Sequence, residues 1–562
     1  MRHVYIFSGL LGAASAALDG LCPPLGPVLP APKAPSANAY LQSQISLLNE
    51  TLHNMTAPLN SSAISFAIQS IHEHKPMLEF HYTPKDFGKN GVQKVDANTV
   101  YRLASTSKLF PVLAVLKTDG MDLNDPITKY LPQLRNLKKE SRQQNQMWVV
   151  DWDDITLGAL SSHLGAPADL FWDLFGQRPP VYAPFTEPVY SNIAFALLSW
   201  AVETVTNVTF SDYIRETIWE PAGMQHTFAS KPYDSLGAIP VDDTWWTATV
   251  GLEKAAGDYY SSISDMLAFG ISILKNEQLS PAGTRRWMKP VTPTSASNVL
   301  LGTPWEIYRF TNETKDGRLI ELYTKMGNIF DYNSNFVLIP DYDVVLQVFT
   351  AGPETSAFTL LGITTAAIKA LLPALEEAGK EETRKSHAGT YSDATSNSSI
   401  TLSLEDENPG IKVSNWTVRG VNVFDSFSAI DRAFLKGTAK DALAQAQGAE
   451  QESVRMRMYP TGLETEDQSS WRGVSTFGTA EELAAVEKSF VWPMGTCFTW
   501  AQMDRIQYGL QSQDHFVFTL EGDENGKEAV SVELPAYKVT LRKETPVIDP
   551  NASESQYPMN GF

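Results

Sequence analysis

The hydrophobic positions fall into two textures along the chain. Up to about residue 380 they recur at helical spacing in several segments, and beyond 386 they alternate in short runs. Residues 18–40 (LDGLCPPLGPVLPAPKAPSANAY) follow neither rule. They are proline-rich and without period, and predict an extended arm. SQISLLNETLHNM then predicts a short helix. SAISFAIQSIHE and PMLEFHYTP alternate on either side of His74-Lys75 and predict a β-hairpin. KLFPVLAVLK predicts a mostly buried helix, with Pro111 near its first turn, where a missing N–H breaks no helical bond. NIAFALLSWAVETV (192–205) and YYSSISDMLAFGISILK (259–275) also carry helical spacing. Between 318 and 350, RLIELYTKMG, NSNFVLIP and VVLQVFTA are rich in β-branched and aromatic residues and predict strands.

A last apolar helix, LLGITTAAIKALLPALEEA, gives way to the charged GKEETRKSH, which marks a domain boundary. Past it, AGTYSD, ITLSLED, IKVSNWTV and VRMRMYP predict strands. HFVFTLEGDENGKEAVSVELPAYKVTL predicts a hairpin turning at Asn525-Gly526. At 562 residues the chain is too long for one core. The expected organisation is a leader over 1–17, an arm and short helix over 18–60, a mixed helix-and-strand domain over 61–380, and an all-β domain over 386–562.

Charge and composition narrow the function. The formal net charge of −20 repels phosphate backbones and anionic lipid, so neither nucleic acid nor a membrane surface is an expected partner. A soluble monomer acting on a small molecule is expected. Arg2 and His3 precede the 14-residue apolar run VYIFSGLLGAASAA, which ends in Ala14-Ser15-Ala16. That is the form of a cleaved secretory signal, too short to span a bilayer comfortably, although a buried N-terminal helix has a similar composition. Eight N-x-S/T sequons follow, at Asn49, Asn54, Asn60, Asn207, Asn312, Asn397, Asn415 and Asn551, and suit a glycosylated extracellular protein. The two cysteines, Cys22 and Cys497, both survive leader removal and can form one disulfide in an oxidising compartment or stay unpaired.

Three short motifs carry candidate chemistry. Ser105-Thr106-Ser107-Lys108 is an S-x-x-K: on a helix Lys108 shares a face with Ser105, and a buried lysine can act as the base that a serine nucleophile needs. Tyr190-Ser191-Asn192 is a Y-x-N, placing a phenol able to shuttle a proton beside a carboxamide able to hold a lysine or a substrate carbonyl. Asn192 could equally cap the helix that follows. Lys325-Met326-Gly327 is a K-x-G between strand-like runs, where glycine would let substrate approach the backbone. Isolated copies also occur: Ser272–Lys275 reads as a helical face, and Lys89-Asn90-Gly91 and Lys315-Asp316-Gly317 read as turns.

Taken in order, the three motifs resemble those of the serine β-lactamase and penicillin-binding protein family, in its class C-like branch of esterases, D-amino peptidases and acyltransferases. DLNDPITKYLP (122–132), ITLGALSSHLGAP (155–167) and AAGDYYSSISDMLAFG (255–270) add to the likeness, which covers roughly 60–380 and suggests a secreted, fungal-type member. The resemblance implies an α+β fold, an antiparallel sheet flanked by helices, here with a C-terminal all-β domain opening at Gly389-Thr390-Tyr391. It implies that Ser105 is the acylated nucleophile and that Lys108 and Tyr190 move the proton. Asn192 would orient substrate and Lys108, and Lys325 would supply positive charge near Tyr190 and could bind a substrate carboxylate. The backbone N–H groups of Ser105 and of Asn328, just after Gly327, would form the oxyanion hole. Two departures stand out. Met326 replaces the usual hydroxyl residue, which speaks against efficient β-lactam turnover, and His163-Leu164-Gly165-Ala166 replaces H-x-S-G, leaving His163 a structural role.

No G-x-S-x-G or glycine-rich phosphate loop is present, and His72-x-His74 reads as a solvated turn, so no metal or cofactor is expected. The expected function is a secreted serine hydrolase forming an acyl-enzyme on an ester, amide or lactam. The alternatives are an acyltransferase on the same scaffold and a non-catalytic binding protein.

Overall fold

A computed structural model describes residues 23–137, 150–163, 180–243, 245–427, 454–476, 499–523 and 526–545. The chain divides into two compact units, one over 25–379 and one formed mainly by 380–562.

The first unit is built on an eight-stranded, wholly antiparallel sheet. Its strands are β1 (Ala63–Ser70), β2 (Leu78–Tyr82), β5 (Thr292–Pro293), β6 (Val299–Leu301), β7 (Glu306–Phe310), β8 (Ile320–Ile329), β9 (Tyr332–Ile339) and β10 (Val344–Ala351), in the order β2-β1-β10-β9-β8-β7-β6-β5. Two short strands, β3 (Tyr101–Arg102) and β4 (Tyr260–Ser261), pair apart from it. β1, β9 and β10 are buried along their whole length, because both faces of the sheet are covered. On one face of β1 lie Ile64, Phe66 and Ile68, packed with helices Ala39–Thr56 and Ala357–His387. On the other lie the small Ala63 and Ala67, in the larger core with helices Leu109–Lys117, Ile193–Thr206 and Ile263–Leu274. Gly270 on the last of these lies against Val345 and Leu338, where any side chain would collide. The alternation of small and large residues thus sets how closely each helix layer approaches the sheet.

Several predicted elements change on folding. The hairpin around His74-Lys75 forms as β1 and β2. His72 in this turn is partly buried, with Nε2 2.9 Å from Asp343 Oδ2, whereas His74 is exposed. The segment 259–275 is not one helix: Tyr260–Ser261 is β4, and Ser262 caps the helix that starts at Ile263 by accepting from Asp265 N. The charged GKEETRKSH does hold the boundary expected there. It continues helix Ala357–His387, and the division between the units falls inside that helix, between Gly379 and Lys380. Among the described residues this helix is long and apolar enough to cross a membrane, but Leu360, Ile363, Leu371 and Leu372 are buried in the core beneath the sheet. The arm is not loose either, since Val28 and Leu29 are buried in the first unit.

The second unit is an eight-stranded antiparallel barrel. Gly389–Asp393, Ser398–Ser403, Ile411–Val418, Arg455–Glu464, Gln468–Thr476, His515–Asp523, Gly526–Leu534 and Val539–Lys543 pair each with the next, and the last pairs back with the first. Closure pairs each of these eight strands on both sides, and the two-residue strand Val421–Asn422 adds to the end of Ile411–Val418. Trp416, Trp471, Phe516, Phe518 and Tyr391 are fully buried, with Trp416 and Phe516 ring centres 5.2 Å apart.

Candidate active site

Ser105 lies in a 3₁₀ turn, Ala104–Lys108, that runs directly into helix Leu109–Lys117. Three residues per turn stack position i over i+3, so Lys108 Nζ reaches back to 3.0 Å from Ser105 Oγ. The turn starts with Ala104 at φ 46°, a left-handed conformation that costs energy for a residue with a side chain. Its surroundings hold it there. Ser334 Oγ on β9 bonds to Leu103 O at 2.6 Å, and Thr106 Oγ1 lies 3.0 Å from Lys325 O and 2.6 Å from Ser334 Oγ. Gly327 on β8 packs against the same turn. A Cβ there would overlap Leu103 O and sit 2.9 Å from Ser105 N. Glycine is what allows β8 to run alongside the Ser105 backbone.

Lys108 is fully buried, with three neighbours at hydrogen-bond distance: Asn192 Oδ1 at 2.7 Å, Ala256 O at 2.8 Å and Ser105 Oγ. Burial pushes its ammonium well below the ordinary lysine value. The charge of Lys325 lowers it further, and Glu253 and Glu306 offset part of the effect. A neutral amine has two N–H groups and one lone pair. Nζ donates to Asn192 Oδ1, Ala256 O and Ser105 Oγ; once the amine is neutral, Asn192 and Ala256 can hold its two N–H groups, which frees its lone pair for the Ser105 hydroxyl.

Asn192 sits immediately before helix Ile193–Thr206 but makes no capping bond with its side chain; Ser191 Oγ instead accepts from Ala194 N at 3.3 Å. The carboxamide is thereby left for Lys108. Tyr190 is half exposed, and Lys108 Nζ and Lys325 Nζ lie 4.9 and 5.5 Å from its ring centre. Its ring stacks on His163 at 4.5 Å. His163 is buried, and burial, then Lys325 and Lys108, hold its imidazole far below the usual value, so it is neutral. Its Nδ1 accepts from Ser191 N at 3.3 Å and its carbonyl from Val189 N at 2.8 Å. These contacts place the 189–192 loop and are structural in kind.

Lys325 lies on β8, buried, with Nζ 2.5 Å from Glu306 Oε1 and 2.9 Å from Met326 O. Burial works against its charge, but Glu306 and the neighbouring tyrosines outweigh it, and its pKa is raised above the ordinary value. Met326 points to the opposite face of the sheet and packs in the core with helix Ala357–His387. A cavity of about 140 Å³ opens beside Ser105, lined by Asn192, Val250, Glu253, Asn328 and Ile329 among others. Phe330, next to it in the chain, stacks on Trp245 with ring centres 3.5 Å apart.

The structure thus gathers Ser105, Lys108, Tyr190, Asn192, Lys325 and Gly327 around one cleft, with Asn328 on its wall. Sequence reasoning missed Thr106, Ser334, Glu306 and the Ala256 carbonyl. Glu306 alone left a trace, as a carboxylate opening the strand-like run EIYRF; the others act through backbone or hydroxyl contacts that any serine or alanine could make. The isolated copies stay outside. Ser272 Oγ bonds to Phe269 O within its own helix. Lys315-Asp316-Gly317 does turn, with Gly317 at φ 65°, but Asp316 is buried beside Arg318. Six of the seven described sequon asparagines are exposed and Asn49 is partly buried. The leader, Cys22, Cys497, Asn551 and 164–166 lie outside the described residues. No cluster of three or more metal-ligating side chains occurs among the described residues.

The family described as "Beta-lactamase" matches residues 80–368, and that described as "Beta-lactamase-like-like, C-terminal domain" matches 379–545. A "Beta-lactamase-like protein" of Arthroderma benhamiae (strain ATCC MYA-4681 / CBS 112371) is 28% identical, over 93% of this chain and 95% of its own length. The "Probable hydrolase M10" of Phoma sp. (strain ATCC 20986 / MF5453) is 23% identical, over 92% of this chain and 91% of its own. Among solved structures, D-amino acid amidase from Ochrobactrum anthropi SV3 is 18% identical, with a TM-score of 0.47 over 60% of this chain and 99% of its own. The first match alone spans more than half of the sequence, and the chain belongs to the serine β-lactamase and penicillin-binding-protein-like family.

Proposed function

We propose that the protein is an exported serine hydrolase that forms an acyl-enzyme at Ser105 on an ester, amide or lactam. The observation that carries this reading is the placement of Lys108, buried with a lowered pKa, its Nζ 3.0 Å from Ser105 Oγ and fixed by Asn192 Oδ1 and Ala256 O. Ser105 Oγ forms its bond to the acyl carbon as its proton passes to Lys108 Nζ. The carbonyl oxygen takes up the displaced electron pair, facing the backbone N–H groups of Ser105 and Asn328. Collapse breaks the bond to the leaving group, which receives the proton from Lys108 directly or through the Tyr190 hydroxyl. Water then repeats the sequence on the acyl-enzyme and releases the acid. Hydrolysis as the outcome is supported by a full-length relative named as a hydrolase. Export is supported by the leader-like start and by the exposed sequon asparagines, and we assign Cys22 and Cys497 to one disulfide on the same grounds.

The test is peptide mass spectrometry after incubation with a fluorophosphonate probe, alongside turnover of a simple aryl ester. An adduct on Ser105, lost in S105A and K108A, is expected. Full ester turnover by S105A would sink the reading.

A further inference from the structure

Glu306 occupies what would otherwise be an anion-binding site. Its Oε1 accepts from Lys325 Nζ at 2.5 Å and its Oε2 from Met326 N at 3.1 Å, so an ammonium and a backbone N–H each hold one oxygen of a single carboxylate. That is the pattern by which a protein binds a carboxylate ligand, here filled from within by the first residue of β7. Lys325 lies beside the same Tyr190 ring as Lys108, and its pKa is raised where that of Lys108 is lowered. The cavity beside Ser105 adds the Glu253 carboxylate and no cation among its lining residues. Met326 supplies no hydroxyl on that side, since its side chain packs beneath the sheet. An incoming carboxylate would therefore meet a cation already paired with a carboxylate.

We propose that Glu306 is a specificity residue of this site: by claiming the Lys325 ammonium and the Met326 N–H, it directs the enzyme to acyl substrates with no carboxylate beside the scissile bond. The inference rests on the serine hydrolase reading and concerns which substrates that site accepts. The apolar part of the cavity wall, Val250 and Ile329, suits a neutral, partly hydrophobic ester or amide.

The experiment compares m-carboxyphenyl phenylacetate with its uncharged counterpart, m-carbamoylphenyl phenylacetate, which share one scissile ester and nearly one shape. Steady-state kinetics would be measured for the wild type, E306Q and the double variant E306Q/K325Q. The wild type is expected to favour the carbamoyl ester in kcat/KM by about tenfold or more. E306Q should move that ratio towards the carboxylate ester by a similar factor, chiefly through KM, and the double variant should lose the gain. Wild type favouring the carboxylate ester would overturn the proposal, and so would an unchanged ratio in E306Q that still cleaves the neutral ester. The wild-type ratio needs no variant, so misfolding of E306Q leaves the test standing. If neither ester is cleaved in a Ser105-dependent way, the hydrolase reading fails and takes this one with it.

Discussion

Lys108 can accept a proton only while it is neutral, and what favours its neutral form is burial first and the Lys325 charge second. With its value far below the ordinary 10.5, kcat/KM for a neutral ester should rise with pH through that lowered value. The rate should then hold until Lys325, whose value is raised, loses its proton at strongly alkaline pH. K325Q removes the neighbouring charge that favours the neutral amine, so its acidic limb should move to higher pH. Paired pH–rate profiles of wild type and K325Q check this, and an unmoved limb would assign it to a different group. At this scale the residue types were legible in the sequence, since Ser105, Lys108, Tyr190 and Lys325 stand in recognisable motifs. The sign of the Lys108 shift was only half legible: apolar flanks announced burial, but nothing in the linear order brought Lys325 near it.

Among elements, the one that places the chemistry is β8, which lies against the Ser105 turn because Gly327 has no side chain. G327A should push the strand off the turn, and we expect its kcat to fall by about 100-fold or more, as a misplacement near 1 Å does. Circular dichroism should show the fold retained, which separates this loss from unfolding. Ser334 is the second support. S334A takes a partner from Leu103 O and from Thr106 Oγ1, both buried, and should cost about 1–3 kcal/mol by denaturant titration. Element type and order were legible in the sequence wherever the period was strong, as in β8 to β10 and helix Ile193–Thr206. It misled where local composition and tertiary packing disagreed. Helical spacing over 259–275 runs through Tyr260–Ser261, which pairs with Tyr101–Arg102 as a strand. GKEETRKSH does mark the boundary between the units, while its Lys, Glu and Arg, good helix formers, extend the helix before them.

Across the first unit as a whole, Arg318 sits among three buried carboxyl groups. It pairs with Asp341, lies 3.1 Å from Glu376 and 3.7 Å from Asp316, and bonds to the Tyr342 hydroxyl at 3.0 Å. One guanidinium cannot balance three carboxylates, and burial raises Asp316 and Asp341 above the ordinary value of 3.8. A carboxyl whose value is raised on folding holds its proton more tightly in the folded state. Its penalty therefore appears as pH rises from 3.8 through the raised value, and disappears below it. Asp316 and Asp341 should therefore favour folding more at mildly acidic than at neutral pH, opposite in sign to Lys108 and His163 of the same unit, and D316N should gain stability relative to the wild type as pH rises from 3.8. Chemical denaturation at several pH values reads both. R318M leaves the three acids without their cation and should cost about 3–5 kcal/mol.

From the sequence alone a candidate nucleophile and base, the fold family of the larger part and the strand texture of the smaller one could be read. Periodicity and short motifs are local, and residues three apart on a helical turn have no choice but to meet. The tertiary structure decided what those motifs touch. It brought Glu306 onto Lys325 from the neighbouring strand, closed eight short strands into a barrel, and turned Met326 away from the cleft. Each of these depends on strand register, which pairs positions many residues apart and which alternation along a single strand does not specify.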